Sequence, residues 1–233
     1  MKLENKKIIV TGGSSGIGKQ TALQLIEKGA KILITGRDES KLKSVADEIG
    51  ADYLAFDMGD LDSLEAYANT CLKKLDGIDA IINNAGLGKF NLLGDISAKE
   101  FIDIFNTNVF GLTLFTQAFL TTFKSQKSGN IINIGSSAAV KGFKYGSVYS
   151  ASKFAVRSLT QCWQAELREY NIRVSLVNPS EVTTAFNSES REEREEVANK
   201  LTPKEIADVI VSNLEMDNRG FVTETNVWAT NPF

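Results

Sequence analysis

Short β-branched apolar runs alternate with longer amphipathic stretches along almost the whole chain, and this alternation leaves few folds open. The runs fall at residues 7–11, 31–35, 53–56, 78–83, 130–135, 173–178 and 220–227. Near-continuous hydrophobicity in such short runs is the mark of parallel strands covered on both faces. Between them, apolar positions recur with helical spacing at 17–28, 40–48, 61–74, 99–124, 150–169 and 203–215. Two of these helices carry start signals: Asp38 precedes Glu39-Ser40, and Thr202 precedes Pro203. The pattern predicts an α/β fold, a doubly wound central parallel sheet of about seven strands with helices on both faces. No linker, internal repeat or low-complexity tract divides residues 1–233, so a single domain is expected.

With 42% apolar and 24% charged residues, the chain can bury a sizeable core. A formal net charge of -3 argues against nucleic acid or an anionic membrane as partner. Residues 1–7 are polar and every apolar run is short, which predicts no secretory leader, no membrane span and a cytoplasmic protein. Cys71 and Cys162 lie far apart without C-x-x-C spacing and read as reduced core thiols. The chain has no histidine. That excludes a Ser-His-Asp triad, an H-E-x-x-H zinc site and the commonest general base at once, and no metal site is expected. Proton transfer near neutral pH then falls to a perturbed Tyr, Lys, Cys or carboxyl group.

The first strand runs into Thr11-Gly12-Gly13-Ser14-Ser15-Gly16-Ile17-Gly18 and then a helix. Glycines permit a tight turn and close approach of a phosphate, and the helix N-terminus offers free N–H groups. A dinucleotide pyrophosphate would sit there. The stretch from Gly13 to Gly18-Lys19 also matches most of a nucleotide-triphosphate loop. That motif needs Ser or Thr next, for magnesium, and this chain has Gln20.

Tyr149 and Lys153 lie at i and i+4, one turn apart on one helix face. A cation about 4 Å from the phenol, at an effective dielectric of ~20, is worth up to roughly 4 kcal/mol. That could lower the phenol pKa by as much as about 3, into the range where it exchanges protons. Ser136 follows the apolar run 130–135 and precedes Tyr149 by thirteen residues. A hydroxyl at the C-terminal end of a strand sits at the crevice where doubly wound sheets bind ligands.

These motifs, in this order, resemble the short-chain dehydrogenases/reductases from residue 7 to about 227, which implies a Rossmann-type domain. Thr11–Gly18 is similar to that family's cofactor turn, and Asp57 to its adenine-contacting acidic residue. Asn83-Asn84-Ala85-Gly86 is similar to its N-N-A-G signature. Asn108, Ser136, Tyr149 and Lys153 match its catalytic tetrad. The resemblance implies that Tyr149 acts as general acid in reduction and general base in oxidation. Lys153 would lower its pKa and hold the nicotinamide ribose, Ser136 would orient the substrate oxygen, and Asn108 would support a water-linked proton path. The residues expected to hold the cofactor are Gly12, Ser14, Ser15, Gly16, Ile17, Gly18, Arg37, Asp57, Met58, Asn84, Ala85, Gly86, Tyr149, Lys153, Pro179, Val182 and Thr184. Ser180 stands where the family's P-G segment usually has glycine.

The second strand ends Thr35-Gly36-Arg37. An acidic residue at the strand end would select NAD(H); here the place is small and neutral, and Arg37 can bind a 2′-phosphate. NADP(H) is therefore expected over NAD(H), with Asp38 read as a helix cap. Leu87, Phe90, Val140, Phe143, Tyr145 and Phe186 are candidate walls of an apolar substrate cleft. The charge-dense segment 188–200 reads as a solvated helix face or, functionally, as part of a substrate-covering flap over 185–202.

The sequence thus predicts an oxidoreductase acting on a small carbonyl or alcohol substrate. A 3-oxoacyl-(acyl-carrier-protein) reductase is the rival enzyme, with Lys141 and Lys144 as the hint of a basic landing patch. A non-catalytic NADP-sensing scaffold is the rival from another class, against which the intact tetrad speaks. The resemblance also implies a homodimer or homotetramer, with helices 105–124 and 150–169 at one interface.

Overall fold

The structure, a computed structural model, describes residues 1–187 and 195–232. Strand β1 (Lys7–Thr11) lies inside the sheet because its apolar side chains point alternately to both faces, and Ile8, Ile9 and Val10 are all fully buried. It pairs in parallel with β2 (Lys31–Gly36) on one side and β4 (Ala80–Asn83) on the other. Beyond these lie β3 (Asp52–Ala55), β5 (Gly129–Ile134), β6 (Ile172–Pro179) and β7 (Glu224–Val227). All neighbours are parallel, in the order β3-β2-β1-β4-β5-β6-β7. This is the expected single Rossmann-like α/β domain with seven strands.

Each face of the sheet carries its own core. Ile8, Val10, Ile32, Ile34 and Ile82 pack under α1 (Gly16–Glu27), α2 (Glu39–Ile49) and α8 (Pro203–Glu215), through Leu25, Leu42, Val45, Ile206, Ile210 and Leu214. The alternate residues Ile9, Leu33, Ile81, Ile131 and Val174 face the other way. They meet Leu64, Ala68 and Cys71 of α3 (Leu64–Leu75), together with Phe115, Phe119, Phe123 and Leu167. Burying one such side chain contributes about 1.5–3 kcal/mol. The helix starts read from sequence are present: the Asp38 carboxylate accepts from Lys41 N–H at 3.0 Å, and Thr202 forms a capping box with Glu205.

Four expectations need correction. The helix expected at 99–124 is α4 (Ala98–Phe105), a π-helical stretch (Asn106–Gly111), α5 (Leu112–Gln117) and α6 (Leu120–Gln126). At Gly111 the chain approaches the loop after β3 so closely that a Cβ would stand 2.1 Å from the Met58 carbonyl. Strand β7 begins only at Glu224, and ahead of it the Gly220 carbonyl accepts from the Arg173 guanidinium at 3.2 Å. Cys71 is a core thiol, but Cys162 is exposed on α7 (Ser147–Leu167), the helix that carries Tyr149. Of the charge-dense segment, 188–194 lies outside the described residues, and 195–200 forms no helix. No helix among the described residues is long and apolar enough to cross a membrane.

Candidate active site

A cleft of about 920 Å³ opens at the C-terminal ends of the central strands, across the point between β1 and β4 where the strand order reverses. The turn between β1 and α1 forms one wall, with Gly12, Ser14, Ser15, Gly16 and Ile17 lining it. Gly12 adopts a left-handed φ of 66°, and a Cβ there would come within 2.9 Å of the Ala85 backbone. Gly18 stands behind the turn and does not line the cleft; a Cβ on it would meet the Gly12 carbonyl at 2.2 Å. Helix α1 starts here without a side-chain cap and without an acidic residue in its first turn. Its N–H groups and positive dipole end thus point at the cleft, ready for an anion.

Thr11 and Asn84 bind this wall to the next. The Thr11 hydroxyl accepts from the N–H groups of Asn84 and Ala85, both at 3.0 Å. The Asn84 amide donates to the carbonyls of Thr11 and Gly12 at 3.0 and 3.1 Å. Below them, Asn83 donates to Thr116 and Asn133, and Asn133 to Thr160, each at 2.8 Å. This buried polar chain ties β4 and β5 to α5 and α7, so the floor of the cleft is fixed from beneath.

Ser136, Tyr149 and Lys153 meet on that floor. Ser136 is fixed by its own backbone, since its N–H donates to Asn178 at 3.2 Å and its hydroxyl accepts from Ala138 N–H at 3.1 Å. Its hydroxyl lies near the Tyr149 phenol and acts on its pKa. Lys153, 5% exposed, donates to the Ile134 carbonyl at 2.8 Å. Asn108 does not reach the cleft. It is fully buried on the π-helical stretch, where it accepts from Leu87 N–H at 2.7 Å and donates to the Leu87 carbonyl at 2.9 Å and to Ser152 at 3.1 Å. Ser152 in turn donates to the Tyr149 carbonyl at 2.7 Å.

The electrostatics differ from the expectation read from the i, i+4 spacing. The Lys153 ammonium lies 5.8 Å from the Tyr149 ring centroid. Burial pushes the phenol up to about 12, opposed by the Ser136 hydroxyl. Burial likewise brings the Lys153 ammonium down to about 8. Desolvation thus sets the direction of the shift at both groups.

The far end of the cleft is lined by Arg37, Asp57 and Met58, as expected, and also by Lys41, which the sequence reading did not single out. The available signal was its position four residues after Arg37, in the first turn of α2. Ala85, Gly86, Pro179, Val182 and Thr184 line the middle. Of the candidate substrate walls, Leu87, Phe90, Phe143 and Phe186 line the cleft, while Val140 and Tyr145 do not and are 44% and 45% exposed. Ala138, Ser180, Glu181 and Ala185 complete that end without having been anticipated. The set fits a dinucleotide: a glycine cradle that any Cβ would fill, an uncapped helix N-terminus, and two cations at one end. Among the described residues no cluster of His, Cys, Asp and Glu could hold a metal ion.

A family model described as short chain dehydrogenase matches residues 6–195. The chain is 31% identical to an NADP-dependent 3-hydroxy acid dehydrogenase of Schizosaccharomyces pombe, covering 97% of this chain and 93% of that one. Among solved structures, a metagenomic short-chain oxidoreductase in complex with NADP is 31% identical with a TM-score of 0.84, covering 97% of this chain and 98% of that one. An alcohol dehydrogenase from the archaeon Thermococcus sibiricus, complexed with 5-hydroxy-NADP, is 26% identical with a TM-score of 0.89, covering 97% of each.

Proposed function

The chain belongs to the short-chain dehydrogenase family, and on that premise we propose an NADP(H)-dependent oxidoreductase that interconverts a carbonyl and an alcohol. The observation that carries this reading is the convergence of Ser136, Tyr149 and Lys153 on one cleft floor, with Tyr149 and Lys153 one helical turn apart on α7. Bound in the cleft, the nicotinamide supplies the hydride in reduction and takes it in oxidation.

The residues of the chain position the substrate and move its proton. Ser136 holds the substrate oxygen beside the Tyr149 hydroxyl. A phenol held near 12 is protonated at neutral pH, so Tyr149 enters the reaction as a general acid and donates to the developing alkoxide. In oxidation the same oxygen takes the alcohol proton. Lys153 keeps its charge below about pH 8 and offers N–H groups to the ribose and to the Tyr149 oxygen. Asn108 acts as a positioning residue, because it fixes Leu87 on one side and, through Ser152, the Tyr149 backbone on the other. The turn of Gly12, Ser14, Ser15, Gly16 and Ile17 receives the pyrophosphate, with Gly18 closing it from behind. Asp57 and Met58 flank the adenine, and Ala85, Gly86, Pro179, Val182 and Thr184 the nicotinamide half. Arg37 and Lys41 favour NADP(H), while the Asp38 carboxylate is engaged as the cap of α2.

The test is Tyr149→Phe. The variant binds NADPH with unchanged affinity and loses turnover by at least a thousandfold; near-normal turnover would remove the assignment. Reduction of a carrier-bound 3-oxoacyl group is the second reading, favoured by the exposed Lys141 and Lys144 on the loop that carries Phe143. Turnover of a carrier-linked substrate that falls with salt, against a salt-indifferent free thioester, would select it.

We also propose a homo-oligomer. Phe101, Ile102, Phe110, Leu114 and Phe154 form an exposed apolar face on α4, the π-helical stretch, α5 and α7. Light scattering after size exclusion reads the mass directly.

A further inference from the structure

The substrate end of the cleft is walled by aromatic rings. The Tyr149 ring is met edge-on by Phe90 at a centroid distance of 5.5 Å, and by Phe186 at 5.7 Å. Phe90 packs on Phe143 at 5.8 Å, and Leu87, Ala138 and Ala185 fill the remainder of that end. The charges of the cleft lie elsewhere. Arg37, Asp38, Lys41 and Asp57 are at the far end, after β2 and β3, and Lys153 lies in the floor with its ammonium bonded to the Ile134 carbonyl. Among the described residues, the one charged side chain lining the aromatic end is Glu181, an anion paired with Lys200 at 2.7 Å.

We propose that this site takes an uncharged ketone, or the corresponding secondary alcohol, with an aromatic or bulky alkyl group beside the reacting carbon, and rejects carboxylate-bearing oxo and hydroxy acids. The inference rests on the hydride-transfer reading and narrows it. A ring stacked among Phe90, Phe143 and Phe186 leaves water for apolar surface and gains edge-on contacts. A carboxylate in the same place loses its hydration, and the described charge it meets there is Glu181, whose neighbouring cation Lys200 is already paired. The site therefore differs in preference from its 3-hydroxy acid dehydrogenase relative.

One pair of probes isolates the charge: 3-oxo-3-phenylpropanoate and its methyl ester, which share a skeleton. With NADPH, kcat/KM for the ester is expected to exceed that for the acid by at least a hundredfold. Phe186→Ala and Phe90→Ala each lower the ester value by tenfold or more. Glu181→Arg raises the value for the acid by about tenfold. An acid turned over as well as its ester, or alanine variants indifferent to the ester, would overturn the proposal. The same two probes are compared for binding to the NADP⁺-loaded protein by saturation-transfer NMR. Ester binding without turnover of either probe would sink the hydride-transfer reading and leave the substrate preference standing; no ester binding, or tighter binding of the acid, would sink the preference alone.

Discussion

The Asn91 amide donates to the Glu100 carboxylate at 2.6 Å, and this bond ties the loop after β4, which shapes the cleft, to the start of α4. Glu100 is 6% exposed at the start of α4, and its other oxygen has no hydrogen-bond partner. Asn91 bridges to Gly146 and donates its N–H to the Tyr145 carbonyl at 2.9 Å. The loop after β4 and the loop before α7 are thus joined one residue from Phe90 and two from Phe143. Glu100→Ala leaves the half-buried Asn91 amide without its acceptor, at a cost of about 1–3 kcal/mol. The melting temperature should fall by roughly 2–12 °C in a chain of this size. KM for an aryl ketone should rise several-fold with kcat nearly unchanged, and an unaltered KM would show that the two loops are held by other contacts.

The two displaced pKa values predict opposite pH effects on stability. Lys153 lies at about 8 when folded, below its ordinary 10.5. Below pH 8 it is charged in both states and folding carries the full cost of burying an ammonium. Between 8 and 10.5 the unfolded chain keeps a proton that the folded chain has lost, so stability rises with pH. Tyr149, at about 12 against 10.0, does the reverse: stability is lost between pH 10 and 12, where only the folded chain keeps the proton. Urea unfolding of the wild type minus that of Lys153→Met should therefore gain roughly 2–3 kcal/mol from pH 7 to pH 10. A difference flat across that range would mean that Lys153 titrates near its ordinary value. Tyr149→Phe should lack the loss above pH 10.

What the sequence made legible was whatever depends on neighbours along the chain. Runs such as Ile8-Ile9-Val10 and Ile131-Ile132 announce strands buried on both faces, and Asp38 and Thr202 announce their helices. The resemblance brought forward Ser136, Tyr149 and Lys153 because their motifs are local. The break at Asn106–Gly111 was hidden, since its apolar spacing is still helical and its cause, the close approach of Gly111 to Met58, is a tertiary contact. Glu100 reads as a surface charge until the fold seats it against Asn91. The phenol pKa was misjudged for a related reason: spacing reports the nearest charge, and burial, which here decides the sign, is a property of the assembled fold.

Cys71 and Cys162 should differ sharply in reactivity. Burial pushes the Cys71 thiol up to about 12, while Cys162 is exposed on α7. A colorimetric thiol reagent should titrate one group in the native protein and both in denaturant. Fast reaction of two thiols under native conditions would contradict the packing of α3 on the sheet.

Cofactor preference should follow the two cations at the end of β2. Gly36 occupies the strand end where a carboxylate would repel a 2′-phosphate, and Arg37 and Lys41 line the cleft just beyond it. A charge-assisted bond to a phosphate is worth about 1.5–3 kcal/mol, or roughly 10- to 100-fold in affinity. Arg37→Ala should therefore lower kcat/KM for NADPH by that factor and change the value for NADH by less than threefold. Lys41→Ala should act in the same direction and more weakly, because a point charge binds phosphate without the fork geometry of a guanidinium. Gly36→Asp adds the missing carboxylate, which accepts from a ribose 2′-hydroxyl and repels the 2′-phosphate, and should invert the preference toward NADH. Steady-state kinetics with both cofactors on all three variants decides the matter. Equal losses for NADPH and NADH would place Arg37 and Lys41 in the scaffold of the cleft and not in the choice of cofactor.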